Sequence, residues 1–483
     1  MPLSFISKLR NIFIILSILL FLVSCNLNNN YKSGVGYMNI RTPKNISLNL
    51  SRGVINNTGN NSITSANIEK FIIAVFTSEG TEIFTDEIGS NANKKIEIPA
   101  GNDLNIHIGG VYQNFIVYHD HIKLTLKEDE TKDLSITMKK SPFDFYIGNK
   151  ELNISGYSEY DENLIYFGTS NDGIYYYLTN GGNVSFQKTT VSHTTINSLS
   201  KVTEYDSTNG SVVKLWAATP NGIYRYTMGN DGSLSNEGII KGSEDPNNVS
   251  TIYDIKLNNN RYLYVVENNK GFYMIKTDEG TFDTNWTGFK IKDYLDLDIL
   301  SDIEYTDDTD LANNYAFLAT AIGTIGVDTS DLNVDLNNLD VFGLKSLTNL
   351  NNDSFFTFHY LDTTNILYLG APDGLYTLDL SNGSDWHSFI QSTSVNNLKV
   401  TNRIQKMNNL KSLFFFDLNN YSLANETDVK LFANSTWRSF QMWDGIAYAG
   451  NYKKSQIVFH FISADGNKFW IGSRNGIVSY DIN

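Results

Sequence analysis

The sequence predicts an all-β chain in two parts, and three observations carry that prediction. Tyr, Phe and Trp make up 13% of the 483 residues, Gly is frequent at 35 and Pro scarce at 7, a composition that favours strands joined by tight turns. Residues 36–140 are broken into short alternating or continuous apolar runs without helical periodicity. From residue 165 onward one strand–turn–Gly–strand pattern recurs at a nearly fixed spacing. With 41% hydrophobic residues the chain has the apolar content of a packed core, and its length suits two to four domains.

The first element is an export signal. Lys8 and Arg10 precede an apolar run from Ile12 to Val23 that is too short for a comfortable membrane span. The run ends in Leu22-Val23-Ser24-Cys25, and Cys25 is the only cysteine of the chain. One cysteine excludes a disulfide framework and any multi-cysteine zinc or iron–sulfur site. The order of charge, apolar run and Leu-Val-Ser-Cys resembles the lipobox of bacterial lipoproteins. That resemblance implies cleavage before Cys25, a diacylglycerol on its sulfur and acylation of the new amine. Two or more acyl chains hold a protein stably on a membrane. The implied location is the cell envelope, at the outer membrane, on its periplasmic or its cell-surface face. The expected layout is signal peptide 1–24, lipidated Cys25 and a polar tether 25–35, a β-sandwich 36–140 and a propeller 141–483. Removing residues 1–24 leaves 35 basic against 52 acidic residues, a net charge of −17. So acidic a chain, without a basic block, argues against nucleic-acid binding and polybasic lipid contacts.

In the sandwich region Ile46–Leu50, Ile96–Ile98 and Leu104–Ile108 alternate, whereas Phe71–Phe76 is continuously apolar, as in a strand buried on both faces. Ser78-Glu79-Gly80 and Ala100–Asp103 supply turns. Seven or eight short strands in about 100 residues suit an immunoglobulin-like or transthyretin-like β-sandwich.

The repeat reads Ile165–Thr169 with Gly173, Leu215–Thr219 with Gly222, Leu263–Val266 with Gly271, Ala316–Thr320 with Gly323, Leu367–Ala371 with Gly374, and Phe469–Ser473 with Gly476. The glycines step by 49, 49, 52, 51 and then 102, which is two steps of 51. Leu413–Asp417 with Asn420 in the glycine place is the expected missing copy. Asn-Gly and Asp-Gly supply the positive φ angles of a tight hairpin. Four-stranded units of this length that cannot bury both faces alone are blades of a β-propeller. Seven blades is the count, with six or eight as alternatives. Trp286–Phe289, Trp386–Phe389 and Trp437–Phe440 are expected as outer strands, and Phe143–Ile147 as the strand that completes the last blade and closes the ring. Trp216–Tyr226 and Trp470–Asp481 resemble two-component-regulator propeller repeats, which implies the fold and not a signalling role.

Chemistry is sparse. His119 and His121 share a strand face with His107 nearby, a conceivable zinc set, but no carboxylate or thiol at a telling spacing completes it. They read as solvent-facing. Asp302, Glu304, Asp307, Asp308 and Asp310 lack the EF-hand order and read as a solvated loop. Ser463-Ala-Asp465-Gly-Asn467-Lys-Phe-Trp470 resembles the sialidase Asp-box, a structural hairpin in that family. Arg225, Arg261, Arg403, Arg438 and Arg474 are scattered, with no spacing that shows convergence. There is no G-x-S-x-G, phosphate loop or H-E-x-x-H. No catalytic residue, metal or cofactor is called for. Candidate ligand contacts are the polar turn residues Asn171, Asp172, Asn221, Glu267, Asn268, Asp373, Arg474 and Asn475, although hairpin chemistry alone selects the same Asn and Asp residues. The expected function is a lipid-anchored envelope protein whose propeller binds a protein or glycan without catalysis. The alternatives are a periplasmic assembly lipoprotein resembling the propeller component of the β-barrel assembly machinery, and a propeller glycosidase or lyase.

Overall fold

The computed structural model describes residues 34–42, 47–49, 54–55, 65–148 and 152–240 with short breaks, strand segments between 252 and 400, and 410–482 with short breaks. Cys25, its lipobox and the tether to residue 33 lie outside the described residues. Described residues up to Leu48, with Ala66–Tyr112 and Val117–Ser141, form one compact unit; Asn49–Ser65, Gln113–Ile116 and the residues from Pro142 onward belong to a second. Among the described residues no helix is long and apolar enough to cross a membrane.

The first unit is built from two sheets. A three-stranded one sets Val35–Arg41 between Asn93–Pro99, antiparallel, and Thr131–Leu134, parallel. A five-stranded one runs Lys139–Lys140, Phe115–Leu126, Gly101–Tyr112, Lys70–Phe76, Glu82–Gly89. Alternation decides what is buried: Ile96 and Ile98 are covered while Lys95 and Glu97 face solvent, and Leu104, Ile106 and Ile108 form one buried row. Phe71 to Val75 are all buried, so the continuous apolar run is covered on both faces. The turn expected over Ala100–Asp103 is shorter than that: Ala100 alone separates two strands, and Asp103 takes a φ of 51° inside the second of them. Ile46–Leu50 falls on the strand Ser47–Asn49, paired with Ser65–Asn67.

The second unit is a β-propeller of up-and-down antiparallel sheets. Its first described sheet is Ile154–Asp161, Leu164–Thr169, Gly173–Asn180, Asn183–Lys188, and its second is Ser198–Asp206, Gly210–Thr219, Gly222–Met228, Leu234–Ile240. Four-stranded sheets follow that begin at Ile252–Asn258, Leu300–Thr306, Thr357–Leu361 and Ser412–Phe415. First strands neighbour one another: Ile154–Asp161 lies beside Ser198–Asp206 and Ser198–Asp206 beside Ile252–Asn258, while Leu300–Thr306, Thr357–Leu361, Ser412–Phe415 and Ile457–Ile462 form a second series that returns to Ile154–Asp161. The closing sheet sets Ile457–Ile462, Lys468–Ser473 and Gly476–Asp481 beside Phe145–Gly148, with Phe145 opposite Ser479 and Gly148 opposite Gly476. The strand before the first repeat thus fills the outer place of the last sheet. Val54–Ile55 adds to it in parallel, opposite Tyr146 and Ile147, a contribution that the alternating pattern did not announce.

Aromatic side chains fill the seams between sheets. Across the closing seam Phe167 and Tyr177 meet Trp470, the latter edge-on at 4.8 Å, and Tyr157 stacks on Phe461 at 4.0 Å. Such pairs add about 1 kcal/mol each to the transfer of their area from water. Trp437–Phe440 lies on the outer strand Thr436–Gln441, where Trp437 packs on Tyr421 and Phe432 and Phe440 reaches Phe143 and Phe469. Thr287–Phe289 is likewise an outer strand; Trp386–Phe389 lies outside the described residues.

One copy of the repeat is shifted by a strand. Leu413–Phe415 belongs to the first strand of its sheet, so Asn420 sits in the hairpin from first to second strand and its φ is not positive. The hairpin equivalent to the glycine turns joins Tyr421–Ala424 to Asp428–Ala433, and one 51-residue step from Gly374 lands on Asn425 inside it. The Asn425 carboxamide oxygen accepts the amides of Thr427 and Asp428 at 2.9 and 2.7 Å, closing the turn by a side chain instead of a glycine.

Candidate functional site

Of the nominated ligand contacts, Asn171, Asp172, Asn221, Arg474 and Asn475 sit on hairpins that join second to third strands, at one end of the ring. Three of these hairpins share a closure. Thr169, Thr219 and Ser473 donate their hydroxyls to the carbonyls of Gly173, Gly222 and Gly476 at 2.9, 2.8 and 3.1 Å. Thr169 and Thr219 also accept the amides of Asp172 and Asn221. Left-handed backbone falls on the glycine alone, with φ of 84° at Gly173 and 111° at Gly222. Asp172 and Asn221 therefore do not supply the positive φ expected of them; the hydroxyl turns the chain in their place. Gly173 is required twice over, because a Cβ there would lie 2.6 Å from the His193 carbonyl oxygen of the loop crossing to the next sheet. Its N–H donates to Thr194 O at 2.8 Å.

On this frame the candidates divide by what they do. The Asp172 carboxylate takes the Tyr175 hydroxyl and the Lys188 ammonium. Desolvation pushes its pKa up, but the bonds from Lys188 and Tyr175 outweigh that and hold it below the ordinary value. The Asn475 amide donates to Leu152 O at 2.7 Å, clasping the closing sheet to the start of the first. Asp172 and Asn475 are structural. Asn171, Asn221 and Arg474 have exposed side chains at this end, and Arg474 is positioned through its backbone, which bonds Gln456 O and accepts Ile154 N–H. Glu267 ends a strand opposite Gly271. Asn268, Asp373 and the Glu267 side chain lie outside the described residues.

At the opposite end, between strand-connecting turns of the first and second sheets, Tyr160, Asp161, Asn163, Thr179, Asn180 and Asn230 border a cavity of about 300 Å³. None of the nominated residues reaches it. Sequence offered no signal for it, since these are ordinary residues of strand ends and turns.

The arginines do different things. Arg225 makes a two-pronged bond to buried Glu204 at 2.9 and 2.5 Å, Arg438 lies over the Tyr480 ring at 5.3 Å, and Arg474 is exposed; Arg261 and Arg403 are outside the described residues. Ser463–Lys468 is a hairpin in which Asp465 accepts from Ser463, Asn467 and its amide, as an Asp-box turn would. Asp302 and Glu304 lie on the strand Leu300–Thr306, where a loop was expected; Asp307, Asp308 and Asp310 are outside the described residues.

One grouping escaped the sequence, and a second was noted there only as a set of strand histidines. Ser422 Oγ lies 2.7 Å from His460 Nδ1, across strands of adjacent sheets. Burial holds that imidazole down to about 4, against a Ser412 backbone bond that pulls the other way. At 0 and 3% exposure the pair is closed to any substrate. In the first unit, His107 reaches both His119 and His121, with 3.2 Å between His107 Nδ1 and His119 Nε2. Among the described residues no group of three or more His, Cys, Asp or Glu side chains could hold a metal ion.

No family model and no curated protein matches the chain. Solved structures similar to it include YCF48 bound to D1 peptide, at 12% identity, covering 72% of this chain and 97% of that one with a TM-score of 0.46. The WD40 β-propeller domain of Doa1 is 9% identical, covering 71% and 97% with a TM-score of 0.46. Sqt1 of Chaetomium thermophilum is 8% identical, covering 79% and 92% with a TM-score of 0.43.

Proposed function

We propose that the chain is a lipid-anchored envelope lipoprotein with a β-sandwich stalk and a seven-bladed propeller that binds a protein or glycan ligand without catalysis. The anchor rests on Lys8, Arg10, the apolar run and Leu22-Val23-Ser24-Cys25. The binding reading rests on one observation: hydroxyl-closed hairpins hold the backbone at one end of the ring while Asn171, Asn221 and Arg474 remain exposed there. Side chains on a fixed frame lose little freedom on binding, so modest contacts suffice for affinity.

The test has two arms. Cys25→Ala is expected to move the protein from the membrane to the soluble fraction; persistence in the membrane refutes the lipoprotein reading. Purified protein is offered labelled glycans and envelope proteins, with an Asn171→Ala/Asn221→Ala/Arg474→Ala triple variant as control. Binding lost in the triple variant is expected. Turnover of a glycan would establish the glycosidase or lyase instead, and protection from protease on whole cells would favour the periplasmic assembly role.

A further inference from the structure

The cavity of about 300 Å³ between turns of the first and second propeller sheets lies at the end of the ring away from the glycine hairpins. That volume is at the lower end for small-molecule sites and suits one ring-sized ligand. Its apolar part is Leu164 and Leu178, which stand opposite each other in register on neighbouring strands.

Half of the polar lining is fixed by the chain itself. Asp161 Oδ1 accepts the amides of Asn163 and Leu164 at 2.8 and 2.9 Å, and Asn163 Oδ1 accepts the Thr179 hydroxyl at 2.7 Å. The other half is unspent: the Asn180 and Asn230 side chains are exposed and make no hydrogen bond among the described residues. Tyr166 adds a second, independent observation. It stands two residues beyond Leu164, hence on the same strand face, and is wholly buried, yet its hydroxyl has no partner among the described residues. Burial, then Asp231, Tyr160, Tyr176 and Asp161, push its pKa up, so two residues that line the cavity stand near it. The polar groups gathered here exceed the partners that the chain supplies.

Charge and bonding capacity select the ligand. Asp161 lines the cavity and no ammonium or guanidinium does, so an anion is repelled. Lys201, on the next sheet, donates to Tyr160 O at 3.0 Å. A cation would leave the carboxamide N–H groups unmatched, and an apolar ligand would leave the whole polar wall unmatched. Each carboxamide offers two donors and an acceptor, which hydroxyls, donors and acceptors at once, can use in full. The carbon-bound hydrogens of a ring would rest on Leu164 and Leu178.

We propose that this cavity is a subsite for one neutral sugar ring, its hydroxyls held by Asn180 and Asn230 against the fixed wall of Asp161 and Asn163. The subsite is separate from the binding end proposed above and does not rest on it. Because turn bonds already hold the wall, ordering on binding is confined to the two exposed carboxamides.

The experiment is saturation-transfer NMR on the purified full chain. Glucose, galactose, mannose and N-acetylglucosamine are the neutral probes, with glucosamine and galacturonate as charged ones. Saturation of at least one neutral sugar is expected, with at least a tenfold loss of affinity in Asn180→Ala/Asn230→Ala. The Asn171→Ala/Asn221→Ala/Arg474→Ala variant, altered at the other end of the ring, should bind that sugar as the parent does. Silence towards all four neutral sugars, preference for a charged probe, or undiminished binding in Asn180→Ala/Asn230→Ala overturns the proposal. Loss in the triple variant alone overturns it too, by placing the sugar at the glycine hairpins. Should the double variant unfold, Asn230→Arg decides: a long side chain laid over the mouth should abolish the signal, and unchanged binding overturns the subsite.

Discussion

Glu204 illustrates a residue whose importance only cross-strand register reveals. Its carboxylate accepts the Trp216 indole N–H at 2.6 Å and both prongs of Arg225, and the Arg225 guanidinium lies 5.6 Å from the centre of the Trp216 ring. The three residues stand on three adjacent strands of one sheet. Removing one partner of a buried pair strands the other's charge, so Glu204→Ala is expected to cost about 3 kcal/mol in chemical denaturation, and Glu204→Gln less. A loss under ~1 kcal/mol would show the group to be solvated. The histidines give a pH prediction. Burial holds His107 and His460 down to about 3 and about 4, below the ordinary imidazole value of about 6.5, so the unfolded chain takes up protons first as pH falls. Their contribution to stability is complete above about 6.5 and drains away between there and pH 3–4. Thermal unfolding midpoints should fall across that window, and His107→Gln should flatten the decline of the transition that reports the first unit. An unchanged slope would contradict the assignment. The Glu204 cluster and buried His460 were not legible in the sequence, where Glu204, Arg225 and His460 are simply polar residues within apolar strands, whereas His107 stood out there beside His119 and His121.

At the scale of the element, the repeat was legible because each hairpin needs a residue that tolerates left-handed backbone or close approach, and glycine provides both. The contrast between two glycines tests this. Gly173→Ala combines a φ of 84° with a Cβ 2.6 Å from a carbonyl oxygen, whereas at Gly210, φ 75°, a Cβ would meet nothing within 4 Å. Gly210→Ala should cost about 1 kcal/mol from backbone strain alone and Gly173→Ala clearly more, measured by the same denaturation. Equal costs would mean that the crossing loop yields. The threonine hydroxyls were visible as small residues before each turn, but their role as the turn's closure was not, because composition cannot tell a packed methyl from a donated hydroxyl. The shifted copy at Leu413–Asn420 failed for a related reason. A Phe-rich strand followed by Asn-Asn looks the same whether it is the first or the second of its sheet, and only the 51-residue spacing separates the two.

For the whole molecule, the alternation of apolar residues foretold two parts and a ring joined by Phe143–Ile147, while the parallel addition of Val54–Ile55 depends on a two-residue pairing too short to leave a pattern. Phe145–Gly148 pairs along its length with Gly476–Ser479 and, at Tyr146 and Ile147, also with Val54–Ile55. Proline in the middle of such a strand removes a ladder bond and strains the rest. Tyr146→Pro is therefore expected to lower the unfolding midpoint of the propeller and, by exposing a strand edge, to promote self-association seen in light scattering. A variant that stays monomeric at the parental midpoint would show that the ring does not depend on this strand. The end proposed to bind ligand was only half legible: the sequence located the turns, and the structure separated Asp172 and Asn475, which hold the frame, from the exposed Asn171, Asn221 and Arg474.

The clasp from Asn475 to Leu152 joins residues 323 positions apart. During synthesis the strand at 145–148 must wait, with one edge unpaired, while nearly the whole ring is made behind it. Pairing over such distances is slow, and open edges meanwhile invite wrong partners. A chain interrupted just before Gly476 would retain nearly all its sheets and lack the last strand that pairs with Phe145–Gly148. For this protein, surveillance of the last hairpin amounts to surveillance of the entire fold.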